Sequence, residues 1–243
     1  MALDEVFLLS PAEPVLRVYQ WRPACLSLGY GQRLAEIDRD GCAARGVDVT
    51  RRLTGGRAVL HAADELTYSV ILPAALLPVG RNISAAYDWI SGGLRAALAQ
   101  LGIEVERTER HGAEGHDPAC FASALGGDLA VDGRKLLGSA QCHKYGGILQ
   151  HGSLPVTVDD DLLAGCLHRP PTAAPRAWTC LADLGRSVTP ERFGQALAAG
   201  FAPLLGAPLF STPRADRPTA AEWALADRLV REKYGAESWT GRI

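Results

Sequence analysis

Residues 51–61, Arg51-Arg52-Leu53-Thr54-Gly55-Gly56-Arg57-Ala58-Val59-Leu60-His61, set two glycines among three arginines and then turn apolar. Adjacent glycines let a backbone come close to a ligand and leave amide N–H groups free to point at it. The arginines add fixed charge and planar donors to that cradle. A phosphate, a carboxylate or a thioester carbonyl is what such a loop would receive; a plain hairpin turn with solvated flanks is the competing reading. His61 either hydrogen-bonds a substrate or holds the loop in place. His151, in Gln150-His151-Gly152-Ser153, carries the same two readings.

Cys120 closes the polar run His116-Asp117-Pro118-Ala119, where solvent and substrate can reach a thiol. Reactivity needs thiolate, and a free thiol with a pKa of about 8.5 is only a few per cent ionised at neutral pH unless cations lower it. His116, Lys135 or the arginines could do so; a bystander cysteine is the alternative. Lys135 follows an Asp-Gly turn, where a lysine is either a solvated surface charge or an ammonium set against an acyl carbonyl. The small residues Gly138-Ser139-Ala140 downstream let something approach that strand closely.

The elements that must position these groups follow from periodicity. Residues 2–9 and 33–45 read as short helices, and Val15 to Tyr19 alternates as a half-buried strand. Val47 to Thr50 is a strand that delivers the chain into the arginine–glycine loop, and Leu66 to Leu72 is another, ended by Pro73. Ser84 is the expected cap of a helix with the stripe Ile90, Leu94, Leu98 and Leu101, stopped by Gly102. Ile103 to Glu106 alternates as a strand, and residues 108–118 form a surface loop.

Leu129 to Val131 and Arg134 to Leu137 flank Asp132-Gly133, a type I′ hairpin signal, with a further strand around Ile148 to His151. Asp159 to Leu167 is a helix candidate. Thr189 caps another, with Pro190 at its first position and Phe193, Leu197 and Phe201 on one face. Thr219-Ala220-Ala221-Glu222 is a capping box for a last helix running toward Tyr234. Pro170 to Pro175 reads as an exposed connector. Strands and helices mix without regular alternation, which implies an α+β domain around a mixed sheet.

The 243 residues suffice for a sizeable core, and no run approaches the ~20 apolar residues of a membrane span. Acidic residues in Met1-Ala2-Leu3-Asp4-Glu5 stand where a signal peptide needs basic ones, so a cytoplasmic location is expected. With 25 basic and 27 acidic side chains, no overall field draws the chain to nucleic acid or a membrane. Six cysteines, at 25, 42, 120, 142, 166 and 180, form no CxxC pair, and no metal site or disulfide framework is indicated.

The arginine–glycine loop, Glu65-Leu66-Thr67-Tyr68-Ser69, Gly133-Arg134-Lys135-Leu136-Leu137-Gly138-Ser139-Ala140-Gln141 and Leu149-Gln150-His151-Gly152-Ser153, in that order, resemble the biotin/lipoate protein ligase and octanoyltransferase superfamily. The likeness runs from Met1 to Tyr234 and implies that superfamily's catalytic-domain fold over residues 1–243. Three features resemble its cysteine-dependent octanoyltransferases. Arg57 stands where ATP-using lipoate ligases usually carry a third glycine, Ala119-Cys120-Phe121 matches the acyl-accepting cysteine, and the chain ends soon after its last helix.

The resemblance implies that Cys120 attacks an octanoyl thioester on acyl carrier protein and that a lysine of a lipoyl domain, such as the glycine-cleavage H protein, then takes the acyl group as an amide without ATP. Lys135 would orient the carbonyl. The loop Arg52, Thr54, Gly55, Gly56 and Arg57 would line the acyl tunnel together with Gly138, Ser139, Ala140 and His151, with His61 bracing the wall. Leu16, Val70 and Leu72 would help set the tunnel's depth. The alternative is a lipoate ligase using ATP and magnesium through an acyl-adenylate, and a non-catalytic binding module is a third reading.

Three departures from the pattern stand out. The family carries a strand ahead of Met1-Ala2-Leu3-Asp4-Glu5, so either the start lies upstream or an edge strand is absent. Three residues rather than two separate His61 from Glu65. Cys142 is a second thiol near the site that could compete for acylation.

Overall fold

Period-two alternation builds the larger of two sheets in a computed structural model of the chain, which describes residues 1–80, 82–108, 127–169, 177–206 and 218–243. In chain order the elements are α1 (Ala2–Leu9), β1 (Val15–Tyr19), β2 (Cys25–Leu28), α2 (Arg39–Ala44), β3 (Asp48–Arg51), β4 (Val59–His61), β5 (Leu66–Pro73), α3 (Ile83–Gln100), β6 (Glu106–Arg107), β7 (Leu129–Val131), β8 (Arg134–Lys144), β9 (Gly147–Leu154), α4 (Asp160–Ala164), α5 (Pro190–Leu205), α6 (Ala220–Leu229) and α7 (Glu237–Thr240). The large sheet runs β1-β5-β9-β8-β7-β6 and is antiparallel throughout. The small sheet, β3-β2-β4, is mixed: β2 runs parallel to β3 and antiparallel to β4. The expected α+β arrangement of mixed strands and flanking helices is observed, with the parallel pairing confined to the small sheet.

The two faces of the large sheet have different tasks. On one, Leu66, Tyr68, Val70 and Leu72 of β5 join Ile148 and Leu154 of β9 against Ile90, Leu94 and Leu98 of α3 and Phe193, Leu197 and Phe201 of α5. Each large apolar side chain buried there contributes roughly 2 kcal/mol. The helices meet through glycine: a Cβ on Gly200 would lie 2.5 Å from the Gly93 carbonyl oxygen. On the other face the register aligns two rows across β1, β5, β9 and β8, Tyr19-Thr67-Ser153-Gly138 and Arg17-Ser69-His151-Ala140. These small and polar residues cannot form an apolar core, and a cavity lies above them.

Leu16, Val70 and Leu72 therefore belong to the helix-packed face and not to a tunnel wall. They lie one residue out of phase with Thr67 and Ser69, and one step along a strand reverses the face.

Local signals act as the sequence implies at most element ends. Thr189, the Thr219–Glu222 capping box and Asp159 all cap their helices. Asp132 and Gly133 take φ of 50° and 71° in the β7–β8 turn. The cap of α3 is Asn82, whose Oδ1 accepts from the Ala85 amide, rather than Ser84, because the helix starts before that serine. The helix expected over 33–45 is split into a 3-10 turn, Leu34–Glu36, and α2; Ile37 between them bridges to Leu167. Of the strand expected over Ile103 to Glu106, only Glu106 pairs, in a two-residue strand with Arg107 against β7. The last helix passes through a π turn, Val230–Tyr234, before α7. Most of the loop expected over 108–118 and the connector Pro170 to Pro175 lie outside the described residues.

Candidate active site

A cleft of about 550 Å³, counting the solvent-open space at its mouth, lies between the polar face of the large sheet and the small sheet. Seven of the residues singled out from sequence line it: Arg52, Gly56, His61, Gly138, Ser139, Ala140 and His151. Tyr19, Trp21, Ser27, Val59, Thr67, Asp128, Gly152 and Ser153 complete the wall, along with Met1.

The arginines of the loop divide their work. Arg51 is fully buried and faces away from the cavity, donating to the carbonyls of Gly29, Gln32 and Thr240 at 2.6–3.1 Å. It ties the loop to the C-terminal segment and adds no charge to the cradle, contrary to the expectation from three clustered arginines. Arg52 does reach the wall, but its guanidinium donates to the carbonyls of Ser27, Gly55 and Arg57, each at 2.7 Å, and so shapes the loop from within. Arg57 stands outside the lining and pairs with Glu36 at 3.3 Å. Thr54 is buried behind the wall and Gly55 is exposed at its rim, while Gly56 takes φ of +91° and contributes backbone to the lining.

His61 is the centre of a directional hydrogen-bond chain. Trp21 Nε1 donates to Thr67 Oγ1 at 2.8 Å, Thr67 donates to Glu65 Oε1 at 2.6 Å, and His61 Nδ1 lies 2.7 Å from the same oxygen. With Nδ1–H directed at the carboxylate, Nε2 is left to accept from Ser27 Oγ at 2.8 Å. Trp21 stacks on the imidazole with ring centroids 4.3 Å apart. Both ring nitrogens and one face are thus engaged by protein, a bracing geometry. His151 meets Thr54 Oγ1 at 2.6 Å through Nε2, and Asp4 lies 3.9 Å from Nδ1. Burial lowers the imidazole pKa of His151 and outweighs the opposing pull of Asp4.

Lys135 is not a solvated surface charge. Its side chain is fully buried, with Nζ 2.8 Å from Asp128 Oδ2, and Asp128 in turn lines the cavity. Its backbone pairs with the Trp178 segment, Lys135 N–H donating to the Ala177 carbonyl and Thr179 N–H to that of Lys135. Cys120 lies outside the described residues. The ends of its segment are described: Gly127 N–H donates to the Thr108 carbonyl at 3.1 Å and Thr108 N–H to that of Asp128 at 2.9 Å. The described residues on either side of that stretch thus pair beside Asp128, which lines the cavity.

Two of the other thiols, Cys142 and Cys25, are poorly set for attack. Burial pushes Cys142 up to about 11 and Cys25 up to about 12. Cys142 packs instead against the apolar cluster of Phe7, Leu8 and Leu149.

Sequence reasoning missed Trp21, Ser27 and Asp128, and did not assign Glu65 a partner. Ser27 and His61 meet because β2 and β4 pair, a contact across 34 positions that no local pattern reports. Asp128 had a weak signal: the Asp132-Gly133 turn pairs Ala130 with Lys135, placing that lysine's ammonium near the start of β7.

A two-sheet α+β fold with a ligand-sized cleft, walled by an arginine–glycine loop and a small-residue strand, defines a class of lipoyl-handling enzymes. Lipoate-protein ligase A bound with ATP superposes with a TM-score of 0.80 at 26% identity, covering 100% of this chain and 93% of that one. A candidate lipoate protein ligase from Thermoplasma acidophilum, with lipoic acid bound, gives 0.81 at 25% identity over 100% and 92%. The chain belongs to the lipoyl protein ligase A/B catalytic domain family, whose model matches residues 1–202, and is an enzyme of that family. Octanoyltransferase LipM of Exiguobacterium sibiricum is 38% identical over 98% of this chain and 92% of its own length. The protein of the same name in Symbiobacterium thermophilum is 38% identical over 100% and 93%. No helix among the described residues is long and apolar enough to cross a membrane.

Proposed function

We propose that this protein is an octanoyltransferase of protein lipoylation that works through a thioester on Cys120. The observation that carries the reading is that Thr108 and Gly127, the described residues flanking the Cys120 stretch, pair with each other and with Asp128, which lines the cleft. The Cys120 thiolate attacks the carbonyl of an octanoyl thioester on acyl carrier protein; a C–S bond to Cys120 forms, the C–S bond to the carrier breaks, and the carrier's sulfur leaves as thiolate. The ε-amine of a lysine on a lipoyl domain, such as the glycine-cleavage H protein, then attacks. A C–N bond forms, the bond to Cys120 breaks, and the amine's proton returns the sulfur to thiol. Dividing one transfer into two is the benefit of covalent catalysis.

Lys135, held beside Asp128, supplies positive charge next to the acyl carbonyl. Arg52, Thr54, Gly55 and Arg57 hold the loop that carries Gly56 into the wall, and His61 and His151 brace its two sides. The relatives named octanoyltransferase favour this reading over an ATP-dependent ligase, since they are 38% identical whereas the ligase structures are 25–26% identical.

Purified protein incubated with octanoyl-carrier protein should gain one octanoyl group in intact mass, and Cys120→Ala should gain none. Acylation persisting in that variant overturns the assignment, and acylation lost only in Cys142→Ala moves it to the other thiol.

A further inference from the structure

A second chamber of about 500 Å³, counting the solvent-open space at its mouth, adjoins the first between β4, the end of β9 and α4. Ser153 lines both. The Glu65–His61 pair divides them, with His61 facing the acyl cavity and Glu65 the second chamber.

Three features of this chamber stand out. Ser153 is only 3% exposed, and its Oγ is the one buried side-chain polar atom among the described residues with no hydrogen-bond partner. A buried hydroxyl left unpaired costs free energy unless a ligand satisfies it. Glu65, 2% exposed, engages His61 and Thr67 through Oε1 alone; among the described residues nothing donates to Oε2. The chamber's lining includes two carboxylates, Glu65 and Asp159, and no Lys, Arg or His, whereas the acyl cavity has Arg52, His61 and His151. Burial runs from exposed Thr157 and Asp159 at one end to Glu65 and Ser153 at the other, with Leu60, Leu163 and Trp178 among the walls between.

We infer that this chamber receives the side chain of the acceptor lysine, a primary alkylammonium on an apolar stem. The inference rests on the transferase reading above. The apolar walls suit the four methylenes, and the carboxylate at the mouth draws in the cation. Glu65 Oε2 and Ser153 Oγ accept from the ammonium at the inner end, where Ser153 also borders the acyl cavity, and Glu65 takes one ammonium proton so that the neutral amine can attack. The donor's phosphopantetheine arm is the poorer occupant, because its phosphate meets carboxylates and no cation there.

Single-turnover kinetics of two variants test this, each half-reaction being followed separately by intact mass. Ala62→Leu narrows the chamber, and Asp159→Asn removes its mouth charge while keeping a side-chain oxygen to cap α4. Loading from octanoyl-carrier protein should stay within about twofold of wild type in both. Transfer to Nα-acetyl-lysine methylamide should slow about tenfold in Ala62→Leu, and Asp159→Asn should raise the half-saturating amine concentration severalfold. If Ala62→Leu does not fold, Ser153→Ala replaces it; that change breaks no hydrogen bond among the described residues and should likewise raise the half-saturating amine concentration.

Wild-type transfer rates in both variants would overturn the inference while leaving the transferase reading standing. Slow loading with normal transfer would overturn it in favour of the donor arm. A wild-type protein that never loads would remove the underlying reading and this inference with it.

Discussion

The two walls of the acyl cavity are held in different ways. The loop wall, residues 51–57, leaves the β2–β3 ladder after Arg51; Arg52 gathers the Gly55 and Arg57 carbonyls from within, and Arg51 ties the base of the loop to the Gln32 and Thr240 carbonyls outside it. The sheet wall, Gly138 to Ala140 with His151 to Ser153, is held by the β8–β9 ladder and needs side chains only where strands crowd. The loop wall should therefore fail when one cation is removed, while the sheet wall should fail only where bulk is added.

Arg51→Met tests the first half of that contrast. It leaves the carbonyls of Gly29, Gln32 and Thr240 buried without their donor, so a loss on the order of 3 kcal/mol is expected in urea unfolding, with loss of acyl loading. Gly152→Ala tests the second. A Cβ there would stand 2.2 Å from the Gly138 carbonyl oxygen and 2.6 Å from the Tyr68 ring, so β8 and β9 must part at a cost of about 2 kcal/mol. If Gly152→Ala proves as stable as wild type, the sheet wall is looser than described.

Removal of a hydroxyl that packs behind that wall should be milder. Tyr68→Phe loses the hydroxyl contact to Ser139 at 2.6 Å and a longer one from Gln150 at 3.4 Å, for about 1 kcal/mol by the same measurement.

A pH effect of smaller size belongs to His151. Burial keeps its folded pKa below the ordinary value of about 6.5, so below that pH the unfolded chain binds a proton that the folded chain does not. Its contribution is complete above about pH 6.5 and is lost as pH falls toward the lowered value. Urea midpoints at pH 7.5 and 5.5 should draw closer together in His151→Gln, which keeps a partner for Thr54.

Local chemistry made much of this legible in advance. The Asp132-Gly133 turn, the Thr219–Glu222 box and the Phe193–Leu197–Phe201 stripe each depend on neighbours within a turn or two, and each formed as read. Arg51 and Arg52 were indistinguishable in composition, yet the strand's alternation sends consecutive residues to opposite faces, and only one reaches the cavity. Ser27 and Trp21 were out of reach because strand pairing and long-range contacts, not any nearby residue, bring them to the site, and Asp128 was only weakly signalled by the register of the Asp132-Gly133 hairpin. The depth residues Leu16 and Val70 failed for a related reason. Alternation gives two faces, and the sequence does not say which one a helix covers.

The most direct measurement is transfer itself, in the absence of nucleotide. Octanoyl-carrier protein, a lipoyl domain and the purified enzyme, freed of ATP and magnesium, should yield octanoylated lipoyl domain in intact mass, with no product from Cys120→Ala. Product that forms only from free acid with ATP, with AMP released and Cys120→Ala fully active, would contradict the account.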